Sequence, residues 1–194
     1  MKIINSNLSL IITFWLLGCS FSQRDTLISL NATDPNLKQH GKYLMCKEMP
    51  FEGIVNEKFE NGEFKSQAKY KSGLLNGQFI TWYLDGKIES SRYYELGEKE
   101  GTHLGWWQNG NPRFEYQFST GLYHGTFKEW YENGKPLHVF EYDQGNEVRA
   151  IGWRDNGKTY INFAVRNGKK YGLTNARLCY SLKDEQGLYK SSNN

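Results

Sequence analysis

The sequence predicts an all-β protein, an elongated single-layer antiparallel meander of five β-hairpin repeats of about 24 residues each. Three observations predict it. Asn-Gly or Asp-Gly pairs stand at 61–62, 85–86, 109–110, 133–134 and 156–157, four of them 24 residues apart and the last 23. Two more glycine combs keep the same spacing, Gly53, Gly77, Gly101 and Gly125, then Gly73, Gly97, Gly121 and Gly145, with Gly168 closing the second. Aromatic residues keep step: Phe59, Tyr83, Trp107 and Tyr131 before each turn, Trp82, Trp106 and Trp130 beside them, and Tyr70, Tyr94, Phe118 and Tyr142 near each third glycine.

The composition agrees. In 194 residues, 38% are hydrophobic and 15% aromatic, with 20 glycines against four prolines and a mean hydropathy of −0.71. These values exclude a polytopic membrane protein and argue against a large aliphatic-cored α/β enzyme. So many Phe, Trp and Tyr residues also exclude a chain that never packs. Twenty-four basic against 21 acidic residues leave a formal charge of +3, and nothing in that balance implies a nucleic-acid partner.

Taken in chain order, residues 1–18 form a signal peptide. Lys2 precedes an apolar stretch, Leu8 to Leu17, that is too short to span a bilayer but suits a secretory signal core. The stretch ends in Leu16-Leu17-Gly18-Cys19, which resembles the bacterial lipoprotein box. That resemblance implies cleavage before Cys19, acylation of Cys19, and anchoring to the membrane through its lipid chains. Ser20 rather than Asp follows the cysteine, and the resemblance then implies the outer membrane of the cell envelope. Residues 19–45 are polar and predict an irregular lipidated tether.

Residues 46–168 hold the repeat array. In Gly77 to Tyr83 the alternation places Phe79, Thr81 and Tyr83 on one face and Ile80 and Trp82 on the other. Asp85-Gly86 predicts a type I′ turn, and Ile88 to Tyr94 the returning strand. The fifth unit lacks one residue and has Arg149 or Ala150 where the leading glycine belongs, which marks the end of the array. Residues 169–194 break the repeat and predict a capping segment with a final strand.

Gly125-Thr126-Phe127-Lys128-Glu129-Trp130-Tyr131-Glu132-Asn133-Gly134-Lys135 resembles the bacterial variant of the MORN repeat, and the likeness spans about residues 50 to 168. The resemblance implies an elongated hairpin sheet. It also implies a tether, scaffold or partner-binding module, and for one subset of the family an antitoxin that neutralises a toxin.

Cys46 and Cys179 flank the array, and an even number of cysteines in an exported protein is consistent with one disulfide. Five stacked hairpins would hold them far apart, so two separate thiols stand as the alternative. No metal-ligand spacing, nucleophile elbow, phosphate loop or dinucleotide motif occurs, so no catalytic residue, metal or cofactor is assigned. His103 takes the position of Phe79 and Phe127 and is expected to pack on the sheet, while Glu129, Glu132 and Asp143 are expected on a solvated face. The rows Trp82, Trp106, Trp130 and Tyr83, Trp107, Tyr131 are either the core or a binding surface. The reading that results is a non-enzymatic lipoprotein of the bacterial cell envelope. It is held to the membrane through Cys19 and binds a protein or envelope component, with a toxin neutraliser or a glycan-binding module as alternatives.

Overall fold

Sixteen strands and no helix make up the described residues, 27–174, of a computed structural model. They are β1 (Ser29–Asn31), β2 (Leu37–His40), β3 (Tyr43–Cys46), β4 (Met49–Pro50), β5 (Gly53–Lys58), β6 (Phe64–Lys71), β7 (Leu74–Trp82) and β8 (Ile88–Glu95). There follow β9 (Glu98–Trp106), β10 (Pro112–Ser119), β11 (Leu122–Tyr123), β12 (Gly125–Trp130), β13 (Pro136–Asp143), β14 (Asn146–Trp153), β15 (Thr159–Arg166) and β16 (Lys169–Leu173).

From β5 onward each strand pairs antiparallel with the next, with β11 set against β10, in one open 13-stranded sheet. The five expected hairpins are β5–β6, β7–β8, β9–β10, β12–β13 and β14–β15. The polar stretch expected to be an irregular tether up to residue 45 is, from residue 29, strand and turn. Here β1 adds parallel to the exposed side of β5 through Ser29↔Ile54 to Asn31↔Asn56, and β2–β3–β4 form a separate small sheet. At the other end Lys169–Leu173 pairs along β15. Both additions cover a hairpin edge that would otherwise present unpaired backbone groups.

The turns differ from expectation. The Asn-Gly and Asp-Gly pairs do not form type I′ turns, because only the glycines, such as Gly62 (φ 89°) and Gly86 (φ 82°), have positive φ. Instead Gly86 N–H donates to the Tyr83 carbonyl and Tyr83 N–H to the Lys87 carbonyl. This is the pattern of a longer hairpin loop closed by a left-handed glycine. The Asp85 carboxylate accepts the Lys87 N–H at 3.2 Å, and Asn61, Asn109, Asn133 and Asn156 do the same two residues on. That side-chain acceptor, rather than tolerance of positive φ, is why Asn or Asp stands there. Within the array, the two-residue turns with both φ positive lie at the third comb: Ser72-Gly73, Leu96-Gly97, Thr120-Gly121, Gln144-Gly145 and Asn167-Gly168.

Each hairpin also carries a bulge just before its loop, as between Thr81 and Trp82 opposite Ser90 and Ile88. The leading glycines sit at a second irregularity, where three residues, 76–78, oppose Lys69 alone. In the fifth unit only Val148 is extra at the matching place. The missing residue and the missing glycine therefore have one cause, a smaller bulge.

Alternation sorts the sheet into two unlike faces. One carries Phe79 opposite Arg92, His103 opposite Tyr116, and the row Phe127, Phe140, Ala150 and Phe163. Phe114, Phe118, Phe127, Ala150, Phe163, Ser90 and His103 are buried there, so the core of the array lies on this face. The opposite face runs Ile80, Ser91, Leu104, Glu115, Lys128, Val139, Ile151 and Asn162.

Candidate functional site

Cross-strand rings build the middle of the aromatic face. Phe114 stacks on Tyr116 and Tyr116 on Phe127, each pair with centroids 4.6 Å apart, while His103 lies between Tyr94 (5.5 Å) and Phe118 (4.6 Å). His103 is buried as expected, its Nε2 2.8 Å from the Tyr93 carbonyl, and burial holds its pKa below the ordinary value. Gly105 faces Phe114 across the ladder and leaves room for that ring.

A hollow of about 430 Å³ opens on this face, lined among others by Arg92, Lys99, Trp107, Arg113, Phe114 and Glu129. A second of about 190 Å³ adjoins it, sharing Lys99, Tyr116, Phe118 and Glu129 and adding Tyr123, Phe127 and Phe140. Together they span three hairpins. The cations lie over rings: Arg92 6.0 Å and Arg113 5.3 Å from the Phe114 centroid, Arg113 5.7 Å from Trp107, and Lys99 4.9 Å from Phe118. Arg113 also meets Glu89 at 3.4 Å. Arg92 and Lys99 have no ion-pair partner among the described residues.

Glu129, expected on a solvated face, sits instead at the wall of the hollow. Its Oε1 accepts the Tyr116 hydroxyl and its Oε2 lies 2.7 Å from His138 Nδ1, whose Nε2 meets the Tyr160 hydroxyl. The His138 bond, first, and the Tyr116 bond, next, lower the Glu129 pKa against the opposing effect of burial. Burial and the Glu129 contact push the Tyr116 hydroxyl well above the phenol range. Both carboxylate oxygens are thus hydrogen-bonded, and the lowered pKa favours the ionised group at the wall of the hollow.

The two predicted aromatic rows are half-buried. The row before each turn ties hairpins together: the Tyr83 hydroxyl donates to the Trp106 carbonyl at 2.8 Å, Trp107 Nε1 to Trp130 at 3.1 Å, and the Tyr131 hydroxyl to Trp153 at 3.0 Å. These hydrogen bonds supply the polar partner a half-buried Tyr or Trp needs. Trp107 and Trp130 border the hollow, and Trp82 packs on Phe64 with centroids 5.9 Å apart. Arg92, Lys99 and Arg113 were not singled out from the sequence, although the repeat itself marks the first. Arg92 stands where other units have Ala68, Tyr116 and Phe140, whereas Lys99 stands where they have Leu75, Tyr123, Glu147 and Lys170.

Cys19 and Cys179, and with them the lipid attachment and one half of the proposed disulfide, lie outside the described residues. Cys46 is half-buried at the end of β3 and has no disulfide partner among the described residues. Among the described residues no group of three or more His, Cys, Asp or Glu is placed to hold a metal.

Comparison with known proteins finds no match among curated proteins. Two stretches, residues 75–96 and 123–144, do match a family model, each covering one loop-closed hairpin of the array. In those two hairpins the chain is similar to the MORN repeat variant.

Proposed function

We propose that the protein is a membrane-anchored, non-enzymatic binding module of the bacterial cell envelope, with a protein partner seated on the aromatic face of its repeat sheet. MORN repeats are binding and scaffold modules, and the matches at 75–96 and 123–144 support that part of the reading. Leu16-Leu17-Gly18-Cys19 after the apolar stretch supports the anchor, and Ser20 after the cysteine supports an outer-membrane location. The observation that carries the binding role is the pair of adjoining hollows on one face, about 430 and 190 Å³, bordered by half-buried rings and by cations. Aromatic rings and arginine are among the side chains most enriched at protein interfaces.

The test uses the full-length protein in its host with a photoreactive amino acid at position 137, on the border of the larger hollow, or at position 128, on the opposite face. A discrete cross-linked species from position 137 and none from 128 is the expected result. Equal adducts from both positions, or none from 137, overturn the binding role. Fractionation of the Cys19→Ala variant addresses the anchor separately, with release from the membrane fraction expected. Unchanged sedimentation with the membrane would refute lipid attachment at Cys19.

A further inference from the structure

We propose that the hollow between β8 and β13 recognises a carboxylate-bearing segment of the partner protein, with Arg92 and Lys99 as the residues that bind it. This rests on the binding role proposed above and names the chemistry of the partner.

The first ground is the departure of this chain from its own repeat. A repeat array supplies several solutions to the same packing problem, and at the position of Arg92 the other units carry Ala68, Tyr116 and Phe140. Packing therefore does not call for a cation there. At the position of Lys99 the units vary, with Leu75, Tyr123, Glu147 and Lys170. Arg92 and Lys99 both fall on the border of one hollow, where Arg113 adds a third positive charge. The remaining lining charge is the Glu129 carboxylate, whose oxygens are held by Tyr116 and His138. Glu89 meets Arg113, while Arg92 and Lys99 have no ion-pair partner among the described residues. The border thus carries an excess of positive charge directed at one small volume.

The second ground is how the rings are used. A sugar that binds by stacking needs an open aromatic face. Here Arg92 and Arg113 lie over Phe114, Arg113 also over Trp107, and Lys99 over Phe118. The rings hold the cations in place instead of offering their own faces. A guanidinium fixed in this way presents its planar fork to a carboxylate with little ordering cost. Glutamate or aspartate side chains on a peptide supply that group together with apolar stems that fit among the ring edges.

The experiment measures fluorescence anisotropy of a fluorescein-labelled ten-residue peptide of alternating Glu and Leu, added to the mature protein carrying all residues from 20 onward. A peptide of the same length with Gln for Glu is the neutral control. Arg92→Ala and Lys99→Leu replace each cation by a residue another unit already carries, so the sheet keeps its packing. Each is expected to weaken binding about tenfold, while Lys128→Gln on the opposite face leaves it within about twofold. Added salt is expected to weaken wild-type binding, because the charges are partly exposed. Equal affinity for the Gln peptide, or unchanged affinity in both hollow variants, overturns the proposal. Displacement of the peptide by oligogalacturonate or inorganic phosphate at lower concentration than by unlabelled peptide also overturns it, in favour of an acidic sugar or phosphate. If position 137 still yields its cross-link in cells while the peptide fails, the carboxylate assignment falls and the binding role stands.

Discussion

At the scale of single residues, Gly105 shows how tightly the aromatic face is packed. A Cβ built there would lie 2.6 Å from both Cδ1 and Cζ of Phe114, and that ring is held by Tyr116 beneath and by two guanidinium groups. Gly105→Ala is therefore expected to lower stability by about 1–3 kcal/mol, read from urea denaturation. His103 makes a second prediction, this one dependent on pH. Burial lowers its pKa below the ordinary 6.5, so in acid the folded chain binds fewer protons than the unfolded one. Stability from this group is complete above that ordinary value and is lost as pH falls through it toward the folded pKa. His103→Phe, which copies Phe79 and Phe127, should gain on the wild type as pH falls from about 7.5 to about 5.5. A gap in denaturation midpoint that stays constant over this range would contradict the burial of the ring.

At the scale of elements, the hairpins are joined by a repeated contact between side chain and backbone. Tyr83 and Tyr131 each donate a hydroxyl to a carbonyl 23 and 22 residues ahead, next to the loop of the following hairpin. Tyr83→Phe and Tyr131→Phe remove that bond without altering shape, since Phe59 already occupies the same position in the first unit. Each is expected to cost about 1 kcal/mol, and the two together nearly the sum, because the sites are well separated. Thermal melts of the single and double variants check this. Hairpin positions were legible in the sequence because a glycine at positive φ recurs in every loop and turn of the array. The turn types were not. Asn-Gly is the commonest mark of a type I′ turn, but the bulge at Thr81/Trp82 and its equivalents lengthens each loop and places only the glycine in the left-handed region.

At the scale of the molecule, contacts run between neighbouring units, so the array should tolerate the loss of a whole period. Deleting residues 86–109 joins Asp85 to Gly110 and restores an Asp-Gly loop with the spacing of its neighbours intact. The shortened protein is expected to fold with an unchanged β-type circular dichroism spectrum and a smaller urea m-value, in proportion to the surface it no longer buries. Loss of the β spectrum would show that the array depends on contacts beyond nearest neighbours. The same one-dimensional order explains the ends: β1 and β16 extend the hairpin sheet at its two borders, where a further repeat would otherwise be required.

The sequence by itself determined the hairpin, its period and the count of five, because a glycine comb and aromatic rows in register admit one periodic arrangement. It also determined that the fifth unit is irregular, since one absent residue means one smaller bulge. Only the tertiary structure decided which face is the core, that residues 29–46 fold into strands, and that Glu129 lies in a hydrogen-bonded wall. These depend on register between strands, which places residues from different units side by side and which no single period records. Arg92 falls between the two cases: its departure from the repeat is written in the sequence, but its convergence with Lys99 on one hollow follows from the stacking of hairpins.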